Sequence, residues 1–182
     1  MTSASSTFKQ YRPALTFIGK FVGLYLVLNF IYGLFVEAYR PSVDPITLLV
    51  ARHSEFVISL FNPLVSTQSY PHSPFVPFTL SGRTIINVFE GCNSVNVIIV
   101  YVAFIVAFST RWFQRWRNVL LDLAVVYGMN LIRIVLLFYI ALYFPEGLYF
   151  FHKFLFTGII YAVVFVLWYL WVKRSRSDEK GI

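Results

Sequence analysis

Three polar side chains in an otherwise apolar sequence carry the chemistry needed for acyl transfer. Cys92 is the single cysteine, Arg133 interrupts a long apolar run, and His152 lies near the start of the next one. A cysteine near a fixed cation is a competent nucleophile because the cation stabilises its thiolate. A guanidinium can also donate to the oxyanion of a tetrahedral intermediate, and an imidazole exchanges protons near neutral pH. These residue types predict a nucleophile, a stabilising arginine and an acid–base histidine.

The rest of the residue inventory excludes several other chemistries. One cysteine cannot form an intrachain disulfide, a CxxC redox pair or a cysteine-rich zinc site. The histidines (His53, His72 and His152) lack the HExxH spacing of a metalloprotease, and no GxxxxGK[ST] phosphate loop occurs. We therefore expect neither a metal nor another cofactor.

The composition places these residues in a membrane. Of 182 residues, 58% are hydrophobic and 13% are charged, and the mean hydropathy is +0.70. Soluble domains carry about 25% charged residues, so this chain cannot cover the surface of a soluble fold. A cytosolic enzyme and a nucleic-acid-binding domain are excluded, although the pI is near 9.6. The prediction is an all-α integral membrane protein that forms a single membrane domain over residues 1–182.

Four apolar stretches approach the ~20 residues that a helix needs to cross hydrocarbon. They predict a bundle of about four transmembrane helices, at 14–36, 92–108, 119–144 and 148–172. Between and around them lie a tail at 1–13, a more polar segment at 37–91, a loop at 109–118 and a tail at 173–182. The first stretch is too long for a signal-peptide core, so we expect it to remain as an anchor.

Positive charge sets the predicted orientation. Nine of the 15 Lys and Arg residues fall in the two tails and the 109–118 loop, against three in the 37–91 segment. Because positive charge favours the cytoplasm, both termini and that loop are predicted to lie inside. The chain is thus predicted to be a multi-pass protein of the bacterial inner membrane, with its site facing the outer side.

The outer segment begins with a predicted helix. Asp44 and Pro45 form a favourable N-cap and first-turn pair, and apolar residues then recur at helical spacing as far as residue 61. The pattern predicts an amphipathic helix at 45–61 that lies on the outer membrane surface.

The remainder of the outer segment has two further features. A stretch with Pro71, Pro74 and Pro77 is expected to be irregular. Residues 83–90 are β-branched in character and are expected to be extended.

Estimated depths bring the three reactive side chains to one level. At 1.5 Å per helical residue, Cys92, Arg133 and His152 lie about 21 to 30 Å from the inner ends of their helices. A charge at the centre of a span costs roughly 2.5–3.5 kcal/mol on insertion scales, so Arg133 should face the bundle interior and have a partner. The three side chains are predicted to converge from three different helices, at a cleft suited to a substrate that is itself a membrane helix.

At these residues the chain resembles the exosortase/archaeosortase family of membrane-embedded cysteine transpeptidases. The matching features are Glu-Gly-Cys92-Asn-Ser at the head of one span, Asn130-x-x-Arg133-Ile in the next, and His152 at the head of the last. The resemblance covers about residues 84–172 and is strongest to the short exosortase F subtype. Larger family members have more spans, so this chain keeps little beyond the catalytic core.

The resemblance implies a reaction. Cys92 would attack a peptide bond in the C-terminal sorting signal helix of a secreted protein, form a thioester and release the tail. A membrane lipid or envelope acceptor would then resolve the thioester. Arg133 matches the oxyanion and thiolate stabiliser, and His152 matches the acid–base group.

Neighbouring polar residues are further candidates. Asn130 and Asn96 are candidates for orienting the arginine or the scissile carbonyl, and Glu90 for a role in the site. Family members often have Ala before the cysteine and Ser or Thr followed by Gly after it, whereas this chain has Gly91 and Asn93. That departure leaves substrate specificity open.

Other classes of membrane protein compete with this interpretation. A non-catalytic scaffold or assembly factor, in which Arg133 pairs with a partner helix, stays open and predicts that Cys92→Ala leaves function intact. The lipid phosphatases are excluded because their Ser-Gly-His signature is missing. The aspartic signal peptidases are excluded because Asp122 falls on the predicted cytoplasmic side and Asp44 is remote.

Overall fold

The computed structural model describes residues 3–109 and 112–180 and is built mainly from helices, which confirms the predicted all-α membrane fold. In this part of the chain the α-helices are α1 (Ser3–Tyr39), α2 (Pro45–Ser59), α3 (Val95–Phe108), α4 (Trp116–Tyr143), α5 (Leu148–Phe150) and α6 (Phe156–Lys180). The strands are β1 (Val65–Thr67), β2 (Phe75–Leu80) and β3 (Arg83–Phe89). A π-helical turn, Phe151–Leu155, joins α5 to α6.

Among the described residues, three helical stretches are long and apolar enough to cross a membrane. They are Tyr11–Tyr39, Trp112–Tyr143 and Pro145–Arg174. Helix α3 is also apolar, but it has only 14 residues. At 1.5 Å per residue it covers about 21 Å, which is less than the roughly 30 Å of a hydrocarbon core. The bundle therefore combines three full-length spans with a shorter fourth helix.

The shorter helix begins at Val95, later than the predicted start of that span at Cys92. A 3₁₀ turn, Glu90–Cys92, precedes it, and Ser94 has a left-handed backbone with φ of 63°. The Asn93 Oδ1 atom accepts a hydrogen bond from the Val95 N–H at 3.0 Å, which satisfies a donor that the start of a helix leaves free. Cys92 thus lies before the helix.

The other predicted spans lie largely within longer helical segments. The predicted tail at 1–13 is helical from Ser3, and the predicted 109–118 loop contains a 3₁₀ helix, Trp112–Arg115, before α4 begins. Hydropathy marks only the part of a helix that matches hydrocarbon, whereas backbone hydrogen bonds continue into polar flanks. Outside the described residues lie Arg111 and the side chains of Lys9, Arg176 and Lys180, which were counted for the orientation.

Helix α2 confirms the predicted N-cap, since Asp44 accepts hydrogen bonds from the N–H groups of Ile46 and Thr47 at 3.0 Å each. Its protein-facing side is formed mainly by small or polar residues, Thr47, Val50, Ala51, Ser54 and Ile58. Large apolar residues of the predicted stripe, Leu49 and Phe56 among them, are exposed instead. An exposed apolar face is what a helix in contact with lipid presents.

The strands form an antiparallel sheet in the order β1-β2-β3. Strand β3 agrees with the expected extended segment, but the expectation of an irregular proline stretch is wrong at Pro77, which lies within β2 opposite Asn87. Because β1 ends opposite Phe78, β2 has a neighbour on only one side at Pro77, and a missing N–H is tolerated there. Ser81 and Gly82, both with positive φ, form the tight turn between β2 and β3.

Two hydrophobic clusters hold the molecule together. One joins α2, the sheet and α4, and it includes Cys92. The other joins α3, α4 and α6. We call the end of the molecule that carries the sheet the sheet end. The first cluster fixes the sheet against α4, so β3 is held beside the part of the bundle that carries the predicted site.

Candidate active site

Cys92 lies at the sheet end, in the turn that connects β3 to α3. Its side chain is 6% exposed and packs in the same cluster as Val88 and Ile134. Burial raises the pKa of the Cys92 thiol, whereas a backbone hydrogen bond with Phe89 and the positive charge of Arg133 act in the opposite direction. The resting thiol is therefore protonated at neutral pH, and a base must accept its proton when it reacts.

Asn130 fixes the backbone at the cysteine. Its Nδ2 donates to the Cys92 carbonyl oxygen at 2.8 Å, and the side chain is fully buried. Its Oδ1 atom is buried without a hydrogen-bond partner among the described residues. Asn130 and Arg133 are three residues apart on α4 and therefore share a helix face. Helix α4 thus presents an amide and a guanidinium to the same region.

Arg133 and His152 contact each other between α4 and the π-helical turn. The Arg133 Nη2 atom lies 3.2 Å from His152 Nε2. A guanidinium only donates, so the imidazole accepts at Nε2 and carries its proton on Nδ1. The Arg133 Nε atom is buried and has no hydrogen-bond partner in the described part of the chain. The interior partner expected for the arginine is thus His152.

The π-helical turn sets the position of His152. A 3₁₀ turn, Pro145–Gly147, ends the preceding connection, and the chain then winds through α5 into the π turn. A π turn holds one more residue than an α turn and is frequent at functional sites. The Thr157 hydroxyl donates to the His152 carbonyl oxygen at 3.3 Å. This local distortion places the imidazole against Arg133.

A cavity of about 530 Å³ has both Cys92 and His152 in its wall. The remaining wall is mostly apolar and comes from β3, from α4 and from the segment that starts at Pro145. Arg133 is not part of this wall, but it contacts His152, which is. The volume falls in the range of sites that hold small ligands, about 300–1,000 Å³. The arrangement can therefore hold part of a substrate beside a thiol and an imidazole.

Asn93 is a positioning residue that the sequence interpretation treated only as a departure from the family pattern. Its Nδ2 atom lies 2.7 Å from the Tyr32 hydroxyl and 2.9 Å from Thr47 Oγ1. The Thr47 hydroxyl in turn donates to Asp44 at 2.5 Å. This network ties the turn that carries Cys92 to α1 and α2. The sequence signal that could have identified Asn93 is its position just before a predicted helix, where an Asn side chain often caps the free N–H groups of the first turn.

Two further candidates lie away from the cavity. Glu90 forms an ion pair with Arg40 at 3.8 Å, and its side chain is about one-third exposed. Asn96 is exposed on the first turn of α3 and makes no hydrogen bond through its side chain to the described residues. Within residues 3–109 and 112–180, no three His, Cys, Asp or Glu side chains come together as potential metal ligands.

Comparison with known proteins gives the family. A sequence model of the transmembrane exosortase family matches residues 14–171. Comparisons with curated proteins and with solved structures gave no match. The matched region begins in α1, so it includes the N-terminal half as well as the part around the Cys, Arg and His residues that carried the resemblance. Because this match covers most of the sequence, the chain belongs to the transmembrane exosortase family.

Proposed function

We propose that this exosortase is a cysteine transpeptidase of the bacterial inner membrane. It cleaves the C-terminal sorting signal of secreted proteins through a thioester on Cys92 and transfers the product to a membrane or envelope acceptor. The observation that carries the proposal is the cavity whose wall contains both Cys92 and His152, with Arg133 bonded to the imidazole. The predicted orientation, with both termini in the cytoplasm, is part of the proposal.

In the first step, the Cys92 sulfur attacks the scissile carbonyl carbon while His152 Nε2 accepts the thiol proton. The carbon–nitrogen bond then breaks, and the departing amine takes that proton from the imidazole. The released product is the C-terminal tail, and the acyl group stays on sulfur as a thioester. An acceptor nucleophile next attacks the thioester and gives its proton to His152, which returns it to the leaving thiolate.

Arg133 has two consecutive roles in this scheme. In the resting site its Nη2 atom occupies the lone pair of His152 Nε2, so the imidazole cannot yet accept a proton there. When the guanidinium turns towards the developing oxyanion, that lone pair is released. The Nε–H group, which is buried without a partner among the described residues, supplies a second donor for the same oxyanion once the guanidinium has turned. Substrate binding and activation of the base are thereby coupled.

The scaffold alternative loses its main support. It required Arg133 to seek a partner on another chain because a lone charge in a span is costly. The guanidinium has an internal partner in His152, and its Nε atom is buried. This pairing inside the chain supports the catalytic proposal.

The test is a comparison of C-terminal peptides from cells that carry the wild-type protein or Cys92→Ala. We expect a set of secreted proteins to keep an apolar C-terminal helix with a basic tail in the variant, because the nucleophile is missing. Mass spectrometry of C-terminal peptides identifies these substrates even when their cleavage motif is unknown. Equal processing at equal enzyme level would overturn the proposal. Because the chain has one cysteine, this change removes all of its thiol chemistry.

A further inference from the structure

Strand β3 is an edge strand that leads directly to the nucleophile. The sheet order leaves β3 with β2 as its only neighbour. Among the described residues no other strand pairs with β3, and at its last residue the Phe89 backbone forms a hydrogen bond with the Cys92 thiol. In an antiparallel pair, alternate residues direct their N–H and C=O groups away from the partner. These groups form a free edge immediately before the 3₁₀ turn that carries Cys92.

The cavity at Cys92 runs along this free edge. Four consecutive residues, Ile85–Val88, line the cavity. Successive strand residues point to opposite faces, and the difference is clear here because Val88 is buried whereas Asn87 is exposed. A cavity against one face would contact every second residue only. Ile85 lies at a β-bulge in this pair, but contact with three regularly paired residues in succession, Ile86, Asn87 and Val88, still places the opening beside the backbone edge.

We propose that the cavity binds the substrate as an extended peptide that pairs with the edge of β3. This inference rests on the proposed function and specifies how the sorting signal is held. Four strand residues span roughly 13 Å, so about four peptide residues fit before the bond that Cys92 attacks. Ile134, Leu137 and Leu148 line the same cavity, and they favour apolar residues in the peptide.

The chain's own course gives the direction of the bound peptide. After β3 the chain makes the turn at Cys92 and enters α3. A substrate strand parallel to β3 therefore passes the nucleophile and continues into its own membrane helix beside the bundle. In an antiparallel strand the chain would leave Cys92 in the direction opposite to α3, and the helix of the substrate would then not lie beside the bundle. Main-chain pairing supplies the affinity and the apolar pockets supply the selectivity, as in other cases of strand addition.

The test uses an acetyl-Ile-Val-Ile-Ala chloromethyl ketone as the probe, with the full-length protein in detergent micelles. The rate constant for alkylation of Cys92 is measured by mass spectrometry for this probe and for its four singly N-methylated forms. N-methylation removes a hydrogen-bond donor, and the loss of one net hydrogen bond should lower the rate constant for alkylation by about five- to tenfold. We expect rates to fall only for methylation at alternate positions, since only those residues face β3.

Controls separate strand pairing from other effects. Iodoacetamide reports the intrinsic reactivity of the thiol and should not distinguish the enzyme variants. Ile85→Asn should slow the peptide probe, whereas Leu64→Asn, the same kind of change at an exposed leucine near β1, should not.

Two results would overturn the inference. One is equal alkylation by all four N-methylated peptides and the parent peptide. The other is a lauroyl chloromethyl ketone that reacts as fast as the peptide, because the cavity would then hold an acyl chain. Neither outcome bears on whether Cys92→Ala cells still process their substrates, so a failure here is distinct from a failure of the proposed function.

Discussion

The contact between Arg133 and His152 determines the protonation of the imidazole in the resting site. The two nitrogens of this contact lie 3.2 Å apart, and because a guanidinium only donates, the imidazole accepts and the resting histidine is neutral. The buried thiol is likewise uncharged at rest because burial raises its pKa. The Arg133 Nε and Asn130 Oδ1 atoms are buried without hydrogen-bond partners among the described residues. In the proposed scheme the Cys92 thiol and the His152 imidazole are both neutral beside the charged Arg133 guanidinium until a substrate carbonyl binds.

Replacing Arg133 with lysine tests whether the planar guanidinium is needed in addition to the charge. Lysine lacks the forked donors, so we expect processing to fall by about 10²–10³-fold, the usual loss for one oxyanion donor. The measurement is a pulse-chase of a substrate identified in the Cys92→Ala comparison. Arg40→Lys, in a surface ion pair, is the matched control and should process normally. Full activity of Arg133→Lys would mean that charge alone suffices.

Three separate elements meet at Asn93. Its amide contacts α1 through Tyr32 and α2 through Thr47, and its oxygen caps α3 at Val95. A side chain with both a donor and an acceptor is needed for this combination. The turn that carries Cys92 is thereby held from both directions, by β3 before it and by the Asn93 network after it.

We predict that Asn93→Ala destabilises the protein by about 1–3 kcal/mol, because it removes a hydrogen-bond partner from the buried Thr47 and from the partly buried Tyr32. Thermal unfolding in detergent measures the change. Asn96→Ala is the control, since Asn96 is exposed three residues further on and should alter stability by about 0.5 kcal/mol or less. We also expect faster alkylation of Cys92 in Asn93→Ala, as its turn becomes looser. Equal stability of the two variants would contradict this role.

The molecule as a whole has two differently built ends. The sheet end contains α2, the sheet and the cysteine, and it is joined to α4 by one hydrophobic cluster. The rest is a helical bundle in which Tyr101 of α3 donates to the buried Asp122 of α4 at 2.5 Å. Helix α1 lies at the side of this bundle, where Phe17 packs against Phe104 of α3 at 5.5 Å between ring centroids. This construction leaves the cavity at the sheet end.

The predicted orientation puts the sheet end on the outer side of the membrane. In a Cys92→Ala background, we expect a membrane-impermeant maleimide to label Ser69→Cys in intact cells and Gln114→Cys only after permeabilisation. Both positions are exposed, one at the sheet end and one in the 3₁₀ helix before α4. Labelled protein is detected by a gel shift. The reverse pattern would invert the topology and place the proposed reaction on the cytoplasmic side.

Some features could be predicted from local sequence because their physical cause is local. Long apolar runs must become helices in hydrocarbon, since every backbone polar group needs an internal partner there. The Asp44-Pro45 pair specified the start of α2. The residue types at Cys92, Arg133 and His152 predicted a reaction class, and their estimated depths predicted that the three side chains converge, but neither gave which of them are in contact.

Tertiary structure alone decided how these residues are arranged. The 3.2 Å contact between Arg133 and His152 depends on the π turn, and no local sequence pattern specifies such a turn. Pro77 is accommodated in β2 because β1 is short, a property of the neighbouring strand. Asn93 gained its role from partners 46 and 61 residues away. Composition and periodicity are properties of one segment, whereas the site is made of contacts between segments, and these are fixed only when the chain packs.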